Sequence, residues 1–499
     1  MMLAPEVPSL RRRLARSIFW VAWSRGVLQV CYFATTLLVA HILVPEDYGV
    51  MALASFWTGS VSMLAEMGLG AAIIQFRDLD RREIDTCFWI TMTLATVGFA
   101  ALALGTPLIA RWFGVPRLAD VLPVLSLVLP LTACSVVSDS LLRKRLAIDR
   151  VSQAEMIGGV VALPVMLGCA FAGLGVWTLV IGALVGPAVR SIATFGFAPW
   201  WPRLHIGGAR VKEVVRFSLA TVGVKAIWSM REYSNTLIIG KITDPGTLGL
   251  YSMADQLAHL PGSKISPVVN MLSSPLMAEL QTDIDAMRAA FYRAIRLTAA
   301  IALPTSAGIA LVADEAVSVL LGSNWLPSVP LLRLICIYAA VRAIDVLLPP
   351  VLFARRRQTF LLYYCLVLLI VVPAAAVLGG LWLGELWGKA QAVILFSTAV
   401  YCSVMTIMAK EALSEIRGSF VQLWTELWSV FAAIAVMTSV VLLLREMLLP
   451  GLPDWIALIL LSATGAATYV AALFAIGSPV ISEGAEVLGW VLRRHSADG

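Results

Sequence analysis

The sequence predicts an all-α integral membrane protein with 14 transmembrane helices, arranged as two pseudo-symmetric six-helix lobes plus two C-terminal helices. Three observations predict it: a composition too apolar for a wetted surface, fourteen apolar stretches of membrane-crossing length, and an internal match at an offset of 200 residues. Of 499 residues, 60% are hydrophobic and only 14% are charged, and the mean hydropathy is +0.87. Soluble domains average roughly 25% charged residues. A helical membrane protein needs fewer, because lipid faces its apolar side chains and its helices satisfy their own backbone. This composition argues against a cytosolic enzyme, a nucleic-acid binder and a disordered scaffold.

A bilayer core takes about 20 apolar residues per helix. The stretches run 17–43, 48–75, 84–111, 118–141, 152–172, 174–197, 212–240, 247–277, 288–321, 328–354, 358–380, 385–410, 422–448 and 454–477. The first is too long for a cleaved signal peptide, and no small-x-small site ends it. With a cytoplasmic N-terminus and strict alternation, the inner segments hold 25 of the 37 Lys and Arg residues, and the outer loops hold four: Arg111, Arg117, Lys241 and Arg445. Cytoplasmic loops of membrane proteins carry such an excess. The ratio supports both the helix count and the orientation, with both termini cytoplasmic. It also accounts for the net charge of +6, which suits anionic inner-leaflet lipid and needs no nucleic acid. Trp20, Trp112, Trp200, Trp201, Trp325, Trp382, Trp387, Trp424, Trp455 and Trp490 fall near stretch ends, where indoles favour the interface.

The resulting organisation is a basic N-terminus at 1–16, an N-lobe at 17–197, an inter-lobe loop at 198–211 and a C-lobe at 212–410. A loop at 411–421, the last two helices at 422–477 and a cytoplasmic tail at 478–499 complete it. The loops are too short for a soluble catalytic domain, and no GxxxxGK[ST] motif is present, so ATP hydrolysis is not expected. The seven cysteines lie in apolar runs without CxxC spacing, and the four histidines form no HExxH motif. Neither a disulfide framework nor a metal site is expected. No cofactor is expected beyond coupling to a proton or sodium ion.

The internal match places His41-Ile42-Leu43-Val44-Pro45-Glu46-Asp47-Tyr48-Gly49 over Lys241-Ile242-Thr243-Asp244-Pro245-Gly246-Thr247-Leu248-Gly249 without a gap. The same offset aligns Arg25, Gln29, Tyr32 and Thr36 with Lys225, Ser229, Glu232 and Thr236. Each set is spaced i, i+4, i+7, i+11, which is one helix face. Repeats of this kind mark transporter lobes. Arg231 shares a different face with Asn235 and suggests a second wet stripe.

Ionisable residues inside a membrane usually line a cavity or pair. Leaving Arg190 aside, the intramembrane bases counted are Arg25, Lys225, Arg231, Lys264, Arg333, Arg342 and Lys389, against the acids Glu66, Glu232, Asp255 and Asp345. That excess of three bases suits an anionic cargo. Arg333 and Lys389 lie near outer helix ends, where they snorkel. Arg342 and Asp345, at i+3, are placed to neutralise each other. Asp255 and His259, at i+4, and the deep Glu66 are candidates for ion coupling. Pro261, Pro267, Pro275 and Pro304 are sites where helices bend.

The chain resembles the polysaccharide flippases of the multidrug/oligosaccharidyl-lipid/polysaccharide (MOP) exporter superfamily, in their O-antigen and colanic-acid branch. The resemblance runs from about residue 15 to 410 and rests on Pro45-Glu46-Asp47-Tyr48-Gly49, Gly68-Leu69-Gly70-Ala71-Ala72-Ile73-Ile74-Gln75, Leu248-Gly249-Leu250-Tyr251-Ser252 and Leu320-Leu321-Gly322-Ser323-Asn324-Trp325. It implies a transporter, not an enzyme, in the bacterial inner membrane. Such a protein moves undecaprenyl-pyrophosphate-linked oligosaccharide to the outer leaflet by alternating access, for lipopolysaccharide or exopolysaccharide synthesis. Its partners would be that lipid-linked sugar, membrane lipids and the polysaccharide polymerase or export machinery. On this expectation Arg25, Lys225, Lys264 and Arg342 hold the pyrophosphate, and Gln29, Tyr32, Ser229, Glu232, Arg231 and Asn235 form the polar wall. The rivals are a lipid II flippase and a cation-coupled multidrug exporter of the same superfamily.

Overall fold

The computed structural model describes residues 26, 28–66, 69–76, 79–205, 207, 208, 210–448, 452–483 and 486. At 66, 71, 217, 219–232, 265, 268 and 448 the description extends to the backbone alone. No strand occurs among the described residues. The chain divides into two compact units, Met1–Gly249 and Leu250–Gly499.

The first unit contains α1 (Leu28–Ile42), α2 (Pro45–Glu66), α3 (Leu69–Gln75), α4 (Arg81–Phe113), α5 (Leu118–Leu125), α6 (Val128–Lys144), α7 (Ile148–Phe171), α8 (Val176–Phe197) and α9 (Val211–Ile242). Helix α10 (Pro245–Glu279) runs from the first unit into the second. The second unit continues with α11 (Ile284–Leu311), α12 (Ala313–Leu320), α13 (Val329–Asp345), α14 (Leu348–Ala354), α15 (Gln358–Trp382), α16 (Gly384–Trp387), α17 (Lys389–Glu415), α18 (Phe420–Leu448) and α19 (Asp454–Ile476). Among the described residues, ten helical segments are long and apolar enough to cross a membrane, α5 and α6 counting together as the one segment Leu118–Lys144. Helices α9 and α10, of 32 and 35 residues, are not in that set, in keeping with the polar residues along them.

Four stretches that read as single spans are each interrupted. The stretch 118–141 becomes α5 and α6, with the break at Ser126 and Leu127. Pro130 explains it, because it has no N–H to return to the Ser126 carbonyl. The stretch 328–354 becomes α13 and α14, and Pro349 and Pro350 withhold the N–H groups owed to Asp345 and Val346. The stretches 48–75 and 288–321 likewise resolve into α2 with α3 and α11 with α12. Helix α10 starts on a strong stop-and-start signal. Asp244 accepts from the Thr247 backbone N–H at 2.8 Å and from its hydroxyl at 2.7 Å, and Pro245 follows in the first turn.

Small residues bring helices together in the first unit. A Cβ at Gly158 of α7 would stand 2.7 Å from the Gly186 carbonyl oxygen of α8, and one at Gly240 of α9 would stand 2.8 Å from Leu53 Cδ2 of α2. Leu69, Ile73, Phe88, Val137 and Val214 form an apolar cluster among α3, α4, α6 and α9. The connector between α8 and α9 is strapped over the first turns of α4. Trp89 Nε1 donates to the Arg203 carbonyl at 3.0 Å, the Thr86 hydroxyl donates to the Gly207 carbonyl at 3.0 Å, and the Arg210 N–H donates to Glu83 at 2.9 Å.

The core of the second unit packs Phe291, Ile295, Leu352, Leu368, Tyr401 and Met408 across α11, α14, α15 and α17. Helices α18 and α19 join through Met437, Val441, Leu461 and Tyr469. They are fastened to α11, because Tyr469 donates to the Ala300 carbonyl at 2.8 Å. Arg296 of α11 also pairs with Glu426 of α18 and with Glu483, which follows α19.

Candidate functional site

The second unit gathers polar side chains from α10, α13 and α17 into one cluster. On α10, Asp255 and His259 lie one turn apart, with Nε2 3.5 Å from Oδ1. Tyr338 of α13 meets the His259 ring edge to face, with centroids 5.8 Å apart at 89°. One turn further along α13, Arg342 Nη1 donates to the Tyr338 hydroxyl at 3.4 Å. The other neighbour of Tyr338 is Tyr401 of α17, at 4.9 Å and 60°. Tyr401 in turn donates to the Asp345 carboxylate at 2.6 Å. Asp345 and Tyr401 are 7% and 1% exposed, whereas the Asp255 and His259 side chains are 40% and 28% exposed. The cluster therefore has a buried anchor and an open end. The guanidinium is a planar donor fork suited to phosphate or carboxylate. His259 joins Asp255 to the same cluster through the Tyr338 ring.

The remaining expected site residues are distributed as follows. Gln29 of α1 and Asn235 of α9 are half-buried, and Tyr32 of α1 is exposed, all in the first unit. Lys264 of α10 is exposed. It is nine residues on from Asp255, which puts it about half a turn round the helix from that carboxylate. Arg25 lies outside the described residues, as do the side chains of Lys225, Ser229, Arg231, Glu232 and Glu66. Asp345, placed by its spacing to neutralise Arg342, gives a carboxylate oxygen to Tyr401. Arg333 is held by Asp314 at 2.6 Å.

The tally of four acids against seven bases left out acids that fall inside the stretches 118–141 and 152–172. Asp139 of α6 and Glu155 of α7 also lie within membrane-crossing helices. Asp139 pairs with Arg143 at 2.7 Å and with Arg190 of α8 at 3.1 Å, and Glu155 Oε1 is 3.6 Å from Arg190. On α12, Asp314 pairs with both Arg333 and Arg445, and Glu315 stands 2.8 Å from Arg445. Of the tallied bases Arg333 is paired in this way, and the added acids face Arg143, Arg190 and Arg445, which the tally left out. Tyr338 and Tyr401 were not singled out by sequence, because an aromatic residue in an apolar helix reads as packing. The sequence signal for Tyr338 was a phenol one turn before an intramembrane arginine, and Tyr401 had none of that kind.

Residues 38–330 match the family model described as polysaccharide biosynthesis protein, more than half of the chain. The chain belongs to that family. It is similar to the lipopolysaccharide biosynthesis protein WzxC of Escherichia coli K12, with 23% identity over 423 residues that cover 83% of this chain and 85% of the relative. It is also similar to the succinoglycan biosynthesis transport protein ExoT of Rhizobium meliloti, at 24% identity covering 65% and 66%. Among solved structures, the lipid II flippase MurJ in an inward closed conformation superposes with a TM-score of 0.72, at 11% identity over 91% of this chain and 97% of that one. An inward-facing multidrug-resistance transporter of the MATE family and MOP superfamily gives 0.61, at 13% identity over 79% and 96%. At these identities the structures establish a shared fold. This polysaccharide family member is therefore an all-helical membrane protein with a transporter fold.

Proposed function

We propose that this protein is a flippase that carries undecaprenyl-pyrophosphate-linked oligosaccharide across the bacterial inner membrane, for lipopolysaccharide or exopolysaccharide synthesis. It works by alternating access of two six-helix repeats, 17–197 and 212–410, within a fourteen-helix chain whose termini are cytoplasmic. The pyrophosphate is held by the cationic set Arg25, Lys225, Lys264 and Arg342. Gln29, Tyr32, Ser229, Glu232, Arg231 and Asn235 form the polar wall. Asp255, His259 and Glu66 couple the cycle to a proton or sodium gradient, and polymerase or export machinery consumes the cargo outside.

The observation that carries this reading is the half-open cluster of Arg342, Tyr338, His259 and Asp255, set in a chain that belongs to a polysaccharide biosynthesis family. A guanidinium beside a proton-exchanging pair is what an anionic headgroup and a coupling ion together require. Arginine inside a membrane costs roughly 2.5–3.5 kcal/mol on insertion scales, so its retention there calls for a function or a partner. The test is complementation of a bacterial strain lacking its exopolysaccharide flippase. The native chain restores polymer, and Arg25→Ala combined with Lys225→Ala, or Arg342→Ala, lowers it at equal protein level. Rescue of a strain lacking its lipid II flippase, without rescue of the exopolysaccharide strain, would overturn the reading in favour of a cell-wall precursor.

A further inference from the structure

We infer that Tyr338 is a positioning residue for Arg342, holding its guanidinium in the direction from which it meets a pyrophosphate headgroup. The inference rests on the reading of Arg342 given above. It extends that reading from a charged residue to the device that aims it.

An arginine side chain has several freely rotating bonds, and binding an anion with it means giving up that freedom. The loss is smaller if the side chain is already restrained. Tyr338 lies one turn before Arg342 on α13, and its hydroxyl accepts from Nη1 at 3.4 Å. A tyrosine can do this only if its own ring is fixed, and here two helices fix it. His259 of α10 abuts one part of the ring at 5.8 Å and 89°, and Tyr401 of α17 abuts another at 4.9 Å and 60°. Both are edge-to-face arrangements, the geometry aromatic quadrupoles favour. Tyr401 does not swing either. Its hydroxyl is committed at 2.6 Å to the buried carboxyl group of Asp345.

The direction of Arg342 is therefore set by a run of stiff groups that begins at a buried acid and passes through two phenols. The contact with His259 adds a second consequence. His259 is also within 3.5 Å of Asp255, so the tyrosine that restrains the anion-binding arginine is packed on the pair proposed to exchange the coupling ion. Tyr338 touches both Arg342 and His259.

The experiment measures binding of undecaprenyl pyrophosphate to the full-length protein in nanodiscs, for the native chain, Arg342→Ala, Tyr338→Phe and the double variant. Tyr338→Phe keeps the ring and its two edge contacts and removes only the hydroxyl. It is expected to leave the thermal midpoint unchanged and to weaken binding about 2- to 10-fold, the range for one lost hydrogen bond. The double variant is expected to bind no more weakly than Arg342→Ala alone, because Tyr338 acts through that arginine. In a flipping assay the Tyr338→Phe effect falls on half-saturation, not on the maximal rate. If Arg342→Ala weakens binding and Tyr338→Phe does not, the positioning role is wrong and the arginine site stands. Fully additive losses in the double variant also refute positioning, since Tyr338 would then contact the headgroup by itself. If Arg342→Ala binds as the native chain does, the anion site itself is misplaced and the inference falls with it.

Discussion

Gly49 and Gly249 occupy equivalent positions in the internal repeat, and each packs against the turn that contains the other. A Cβ at Gly49 would overlap the Pro245 carbonyl oxygen, and a Cβ at Gly249 would overlap the Pro45 carbonyl oxygen. The same imagined atoms would stand 3.1 Å from Gly249 N and 3.0 Å from Gly49 N. The first turns of α2 and α10 thus meet backbone to backbone in a reciprocal arrangement. The match seen in the sequence at an offset of 200 is realised as a physical contact.

That contact leaves no room for a methyl group, and what it meets is backbone, which cannot rotate aside. Gly49→Ala and Gly249→Ala are each expected to destabilise the protein by about 1–3 kcal/mol, the usual range for overpacking. Gly262→Ala, on the same α10 but with nothing within 4 Å of its Cβ, is expected to be close to neutral. Thermal unfolding in detergent, followed by retained monomer on size exclusion, decides it. Equal midpoints for Gly49→Ala and Gly262→Ala would contradict the packing described.

Asp85 of α4 is fully buried, and His205 Nδ1 of the connector lies 3.4 Å from its carboxylate. His205→Ala is expected to cost about 1 kcal/mol, because it removes the polar group that stands nearest a buried carboxylate. Asp85→Asn should recover most of that loss in the double variant, because the charge that needed a partner is gone. The measurement is a double-mutant cycle on the unfolding midpoint. Simple additivity would show that the two side chains do not depend on each other.

Arg296 joins three parts of the second unit through Glu426 and Glu483. Its side chain is only 11% exposed. Arg296→Ala would leave two carboxylates facing each other without a cation, at a cost of about 3 kcal/mol, the lower end for breaking a buried pair. Limited proteolysis should then cut between α17 and α18 sooner than in the native chain, with Arg296→Lys intermediate. An unchanged digestion pattern would show that apolar packing alone holds the last two helices.

Burial on its own would raise the Asp244 carboxyl, but hydrogen bonds from Thr247, backbone and hydroxyl, together with those from the Asp244 and Gly246 backbone, outweigh it and hold the group below its ordinary value of 3.8. A depressed folded-state value means that the capping contribution is complete above 3.8 and is lost as the pH falls through the lower folded value. Asp244→Ala is expected to lower stability by about 1 kcal/mol at neutral pH. The gap between native and variant midpoints should close on acidification below 3.8. A gap that persisted there would mean the cap works through packing and not through the ionised carboxylate.

How much of this was legible in the sequence depended on the distance between the residues involved. Asp255 and His259 share one helix face by spacing alone, and the structure pairs them. The repeat aligned Pro45 with Pro245, and the structure starts a helix at each, α2 and α10. The breaks after α5 and α13 were also written in Pro130, Pro349 and Pro350, but apolar runs on both sides hid them within single spans. Tyr401 lies 56 residues from Asp345 and Arg190 lies 51 from Asp139. No periodicity links residues on separate helices, so these contacts appear only when the helices pack. Counting charges failed because the tally passed over Asp139 and Glu155, and because it cannot show which acid faces which base.

The four ionised side chains shared by α6, α7 and α8 have a consequence for energetics. Asp139, Arg143, Glu155 and Arg190 comprise two cations and two anions. A membrane voltage does about 2.3 kcal/mol of work per elementary charge for every 100 mV crossed. A group of zero formal charge that travels as one body takes up none of it, so this quartet can ride with its helices without coupling them to the electrical potential. Any voltage sensitivity of the protein must arise at residues whose charge is not matched in this way.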